Sequence, residues 1–143
     1  MAIEIRVFRE ADRAAVIALW DEAFAADPAH NVSGEMIERK LRVQPELFLV
    51  AIADDVLVGT VMAGYDGVRG WLHRLAVSES QRRAGVGTAL VRQAEAAMAE
   101  MGCPKVNLQV RGTNAAVIGF YLALGYETDD NVSLGKKLTT SGP

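Results

Sequence analysis

The sequence predicts an α/β fold (α+β in some schemes), with helices flanking a single mixed, mostly antiparallel sheet in the order β-αα-βββ-α-β-α-ββ. Three observations predict it. Three strand-like runs between Leu47 and Val77 are separated only by short turns, which makes them antiparallel neighbours. The third run leads through a glycine loop and an amphipathic helix into another strand, so that these two strands are parallel and joined by a helical crossover. Helical spacing also appears between the first strand and the hairpins, and again after Asn114. The 143 residues, half of them apolar, are enough for one core. Residues 1–138 are expected to form one domain, with a disordered tail at 139–143.

Taken in order, Ile3, Ile5 and Val7 alternate with Glu4 and Arg6, the pattern of a half-buried strand. An alanine-rich helix follows, with Ala11, Ala14, Ala15, Ala18 and Leu19 at helical spacing until Asp27 and Pro28 stop it. Its Trp20 and Phe24 are assigned to the core, with a pocket wall as the alternative. The turn-rich stretch at 27–34 leads to a short helix containing Met36, Ile37, Lys40 and Leu41, ended by Pro45. His30 has no Cys, Asp or second His at ligand spacing and reads as a solvated loop histidine, substrate contact being the alternative. Residues 47–53 and 56–65 form a hairpin around Asp54 and Asp55. Asp66 to Gly70 turn the chain into a third strand, in which Trp71, His73, Leu75 and Val77 alternate with Leu72, Arg74 and Ala76. After the glycine loop, Leu90, Ala94, Ala97 and Met101 keep helical spacing, Gly102 caps the helix and Pro104 prevents its continuation. Val106, Leu108 and Val110 alternate as the parallel strand. Asn114 caps a helix with Val117, Phe120, Tyr121 and Leu124 on one face, closed by Gly125. Tyr126 and Glu127 open a further strand, and Val132, Leu134 and Leu138 supply the last.

The loop carries the chemistry. A helix N-terminus has unpaired N–H groups and partial positive charge that attract phosphate. Gly85 and Gly87 let backbone approach closely and can adopt positive φ, while Arg82 and Arg83 supply charge-assisted hydrogen bonds. No Lys-Ser or Lys-Thr pair follows the glycines, which excludes a nucleoside-triphosphate loop, and Leu90 stands where a dinucleotide fingerprint has its third glycine.

The spacing of Arg82, Gly85 and Gly87 directly behind Leu75, Ala76 and Val77 resembles the acyl-CoA loop of the GNAT acetyltransferases. A second signature, NAAVIGFYLALGYE from Asn114 to Glu127, resembles that family's Asn-led helix followed by Phe-Tyr and Gly-Tyr. The segments at 37–40, 47–51, 58–70, 102–105 and 133–138 are similar to small stand-alone bacterial acetyltransferases of the YpeA type. The resemblance covers the whole chain and implies the following. The backbone of Leu75, Ala76 and Val77 pairs with the pantetheine arm. Arg82, Arg83, Ala84, Gly85, Val86, Gly87 and Thr88 hold the pyrophosphate, and Asn114 and Phe120 complete the cofactor site. Tyr121 faces the sulfur and donates to the departing thiolate; otherwise it is a buried aromatic. An acetyl group passes from acetyl-CoA directly to a primary amine of a small molecule or of a peptide or protein N-terminus, with a backbone N–H near Val77 as oxyanion donor. At pH 7 an α-amine is about a tenth neutral and a lysine side chain only about 0.04 %, so the need for a base depends on the acceptor. His73 is the best candidate base, with an ordered water, or a histidine merely packed on Trp71, as alternatives. Ala84 stands where the family often has glycine.

The net charge of −3 and the dispersed basic residues give no reason to expect a nucleic-acid partner and mildly favour a cationic substrate. No metal site is expected. Cys103 is the only cysteine, so no internal disulfide forms. With neither a long apolar span nor a signal-peptide pattern, a cytoplasmic protein without membrane contact is expected, as a monomer or homodimer. The competing reading is a non-catalytic acyl-CoA-binding or protein-interaction module on the same fold.

Overall fold

The computed structural model describes residues 2–25 and 32–138. The stop at Asp27 and Pro28, His30 and the tail at 139–143 lie outside the described residues. The chain divides into two compact units, Met1–Leu108 and Gln109–Pro143.

The first unit holds a five-stranded sheet whose spatial order is the sequence order. Strands β1 (Ile3–Val7), β2 (Phe48–Ala53), β3 (Val56–Tyr65) and β4 (Gly70–Val77) are antiparallel in succession, and β5 (Val106–Asn107) runs parallel to β4. This is the predicted fold class. The β2–β3 turn is a two-residue one with Asp54 at φ 50 and Asp55 at φ 64, the left-handed pair that matches strand twist. In the β3–β4 turn, the Asp66 carboxylate accepts the N–H groups of Val68 and Arg69, both at 2.8 Å, and these bonds hold its pKa below the usual carboxylate range.

Helices α1 (Arg13–Ala23) and α2 (Ser33–Lys40) bury Val16, Trp20 and Ile37 against Phe48, Val50, Met62 and Ala76 of the sheet. Phe8 stacks on Phe48 with ring centroids 4.5 Å apart. Trp20 belongs to the core, as expected, and its indole donates to the buried Thr60 hydroxyl at 2.8 Å. Helix α2 closes at Lys40 rather than at Pro45, which instead opens a 3-10 turn behind a left-handed Gln44. Helix α3 (Val86–Glu100) buries Val86, Leu90, Val91, Ala94 and Met98 on one stripe.

Close approach of α3 to the sheet depends on Gly59 in β3. A Cβ there would lie 2.9 Å from both Val86 Cγ1 and Leu90 Cδ1, and 3.1 Å from the Ala76 carbonyl oxygen. Gly59→Ala should therefore cost about 1–3 kcal/mol in chemical denaturation through overpacking. An unchanged midpoint would show that α3 can back away freely.

In the second unit, Asn114 caps α4 (Ala115–Ala123) by accepting the Val117 N–H at 3.3 Å. The helix closes with Gly125 at φ 97; Gly125 N–H donates to Leu122 O and Tyr126 N–H to Tyr121 O, both at 3.1 Å. That Schellman pairing sets Tyr126 against Tyr121, ring centroids 5.4 Å apart.

Three expectations are corrected. The parallel strand stops at Asn107, so Leu108 and Val110 continue the alternation without a ladder. No strand forms among residues 126–138, where Val132, Leu134 and Leu138 are 84 to 91% exposed. Period-two apolar spacing favours a strand only when a partner supplies hydrogen bonds, and this segment is rich in charge and turn formers. Gly87 lies inside α3 and does not adopt positive φ; the left-handed positions of the loop are Arg83 (φ 73) and Gly85 (φ 85). Ala84 thus occupies an ordinary conformation, and the missing glycine is no obstacle.

Candidate functional site

The site in the first unit is built on β4, and β4 is bent by a bulge. His73 pairs with Met62 and Ala76 with Thr60, so Arg74 and Leu75 together oppose Val61. Arg74 adopts φ 53, uncommon for a non-glycine residue. Its guanidinium lies 4.3 Å from the Phe24 ring centroid and 5.7 Å from that of Trp20, and donates to Met36 Sδ at 3.1 and 3.3 Å. Its carbonyl accepts from the Thr60 hydroxyl at 3.0 Å. Strain of about 1–3 kcal/mol is comparable with what such cation–π contacts return.

The bulge corrects the expected alternation. Trp71 and His73 share the face of Met62, toward α1 and α2, whereas Leu75 and Val77 turn to the α3 face with Gly59. His73 lines a cleft with Lys40, Met62 and Trp71. Its residue surface keeps solvent contact, yet desolvation of the ring, followed by the positive charges of Lys40 and Arg74, holds its pKa below the ordinary histidine value.

Past the bulge, the edge of β4 is open. The β4–β5 ladder comprises only Gly70 with Val106 and Trp71 with Asn107, so it does not reach Leu75–Val77. Ser78 N–H still bonds Val58 O at 2.8 Å, which in antiparallel geometry turns the Val77 N–H away from β3, toward that edge. The chain then makes a 3-10 turn at Glu79–Gln81, exposes Arg82, Arg83 and Ala84, and enters α3 through the left-handed Gly85. No side chain caps this helix, and a Cβ at Gly85 would meet nothing within 4 Å. The N–H groups of Val86, Gly87 and Thr88, in the first turn of α3, have no partner within the helix. Sequence reasoning used Ser78 only as a turn former, but its hydroxyl is buried without a hydrogen-bond partner among the described residues. A serine in a turn gives no signal of that.

In the second unit, Tyr121 is 7% exposed and burial pushes its hydroxyl pKa up to about 12. Phe120 meets it edge-on at 5.0 Å. Asn114 is exposed, with its side-chain oxygen occupied as the helix cap. The structure thus places His73, Leu75–Val77 and residues 82–88 in one unit, and Asn114, Phe120 and Tyr121 in the other.

The family model described as "Acetyltransferase (GNAT) family" matches residues 10–126. The chain belongs to the GNAT acetyltransferase family. An acetyltransferase of Yersinia enterocolitica is 46% identical over 136 residues, 95% of this chain and 96% of its own. Among solved structures, Ard1 from Thermoplasma volcanium is 28% identical with a TM-score of 0.77, covering 87% of this chain and 82% of that one. The PaiA N-acetyltransferase from Thermoplasma acidophilum, in complex with coenzyme A, is 25% identical with a TM-score of 0.75, covering 92% and 94%. The stretch matched by the GNAT model takes in the loop at 82–88, the strand before it and the segment from Asn114 to Tyr126. Among the described residues no cluster of His, Cys, Asp or Glu is gathered around a metal position, and no helix is long and apolar enough to cross a membrane.

Proposed function

We propose that this GNAT chain is an N-acetyltransferase that transfers the acetyl group of acetyl-CoA to a primary amine, residues 1–138 working as one catalytic domain. The observation that carries the reading is the open edge of β4 at Leu75–Val77, running directly into the uncapped N-terminus of α3. Such an edge offers strand-like hydrogen bonds to the amide-bearing pantetheine arm. The N–H groups of Val86, Gly87 and Thr88, with Arg82 and Arg83, take the pyrophosphate. Asn114, through its amide N–H groups, and Phe120 complete the cofactor site.

The acceptor amine attacks the thioester carbonyl as a neutral nucleophile. The Val77 N–H, turned to the open edge, is the oxyanion donor. His73 takes the proton from the amine, and Tyr121 donates a hydrogen bond to the sulfur as the C–S bond breaks. The base must be neutral, so once the acceptor amine's own titration is divided out, the contribution of His73 is full above its pKa and falls as pH drops through it. Because that pKa is depressed, the acid limb of kcat/KM should lie below pH 6.5. His73→Ala should lower kcat/KM about 100-fold and abolish this limb. If the limb persists in the variant, a water or another group is the base.

The reading is tested by calorimetric titration with acetyl-CoA, followed by a thiol-release screen over primary amines. Micromolar binding with turnover supports it. Binding without turnover on any amine would make the chain a binding module, and a folded protein that does not bind acetyl-CoA would refute the cofactor assignment.

A further inference from the structure

Strand β3 outruns β2. β2 begins at Phe48, opposite Met62, so Ala63–Tyr65 have β4 on one side and no strand on the other. Side chains from the end of α2 and the segment after it fill that side. Gln44 donates to the Tyr65 carbonyl at 2.9 Å and accepts the Tyr65 N–H at 2.8 Å, as a strand residue would. Lys40 Nζ donates to the Ala63 carbonyl. Between them lies a cleft of about 340 Å³, walled by Lys40, Gln44, Met62, Tyr65, Trp71 and His73.

Among the described residues, no ion pair neutralises the charge that Lys40 brings to this cleft. Lys40 is part-buried, and among the described residues no carboxylate lies within ion-pair distance of it. The Asp66 carboxylate also lines the cleft; its Oδ1 accepts the Val68 and Arg69 N–H groups, which favour its ionised form, and it makes no ion pair with Lys40. An ammonium has three donors, and the Ala63 carbonyl takes one. Burial pushes the Lys40 pKa below the lysine range, with Glu46 opposing more weakly. A desolvated ammonium with spare donors, set among apolar walls, is stabilised by an anion.

We propose that this cleft is the acceptor site and that Lys40 selects an amine that also carries an anionic group, a carboxylate or a phosphate. The proposal rests on the acetyl-transfer reading and on His73 as its base. The anion pairs with Lys40, the carbon chain lies along Met62 and Trp71, and the amine reaches His73. The charges of Lys40 and Arg74 disfavour a second cation at His73, which keeps both the imidazole and the incoming amine in the neutral forms the reaction needs. A polyamine would set its extra cations against Lys40. The chain's net charge of −3 pointed toward a cationic acceptor, but that charge is spread over a surface screened by salt, whereas Lys40 acts within the cleft.

The test compares matched acceptors, with kcat/KM referred in each case to the neutral form of the amine: an amino acid with its carboxamide, and an aminoalkyl phosphate with the corresponding amino alcohol. The native protein should favour the anionic member of at least one pair by about tenfold in kcat/KM, and the pair favoured identifies the anion. Lys40→Met should bring the ratio near one, and Lys40→Arg should restore a preference. Taking ratios within each variant cancels any general loss of activity. Equal use of both members by the native protein, or an unchanged ratio in Lys40→Met, overturns the proposal. A second measurement needs no turnover: the His73 ring resonance is followed while straight-chain carboxylates, their amides and methyl phosphate are added. A shift with carboxylate or phosphate but not with amide, lost in Lys40→Met, supports the anion site even if no amine is acetylated, in which case the acetyl-transfer reading alone fails. No shift with either anion overturns the anion site.

Discussion

Gly85→Glu should abolish acetyl-CoA binding in calorimetry, a loss of about 100-fold or more, while the protein keeps its fold. Gly85 sits at φ 85 as the N-cap of α3, with open space where its Cβ would project. That space is the proposed position of the pyrophosphate, so a carboxylate there would put like charge against like and obstruct the N–H groups of the first turn. Losing two charge-assisted hydrogen bonds at about 1.5 kcal/mol each already accounts for the expected factor. Gly85→Ala separates this effect from backbone strain. Its methyl group meets nothing within 4 Å, so the variant should show only the left-handed penalty of about 1–2 kcal/mol in stability, with a modest change in binding. Wild-type affinity in the glutamate variant would remove the loop from the cofactor site.

The second large effect is expected at Tyr121. Tyr121→Phe should lower kcat about 100-fold with little change in acetyl-CoA affinity, because the lost donor acts on the thiolate that forms only as the bond breaks. The ring contacts with Phe120 and Tyr126 survive the change, so the helix should keep its stability. With its pKa pushed up to about 12, the hydroxyl stays protonated through the usual assay range and contributes no alkaline limb there. Against a thiol near pKa 8.5, complete proton transfer from such a phenol would be uphill by about 5 kcal/mol, so the role proposed for Tyr121 is a hydrogen bond to the thiolate rather than full protonation. Wild-type kcat in the phenylalanine variant would leave Tyr121 as a packed aromatic only.

The sequence was most informative where structure is local. The spacing of Tyr121, Gly125 and Tyr126 is that of a Schellman cap, written within six residues. The loop from Arg82 into α3 was legible for the same reason, although which residues turn left-handed was not: Arg83 and Gly85 do, and Gly87 does not. Alternation failed where it lacked a partner or met an insertion. Val132 and Leu134 have strand spacing but no ladder.

By itself, then, the sequence determined the family, the order of the elements that form and the glycine loop that leads into α3, because periodicity, caps and glycine spacing are set by near neighbours along the chain. Tertiary structure decided which way β4 faces and what stands beside His73. The bulge at Arg74 is held by Trp20, Phe24 and Met36, and it turns Leu75 and Val77 away from the face of His73. Lys40 reaches that face only because the end of α2 lies beside the overhang of β3, where the Ala63 carbonyl has no strand partner and accepts from its ammonium instead. These are contacts between residues distant in sequence, and their geometry is fixed by packing and by the need to satisfy buried backbone groups, neither of which one stretch of chain encodes alone.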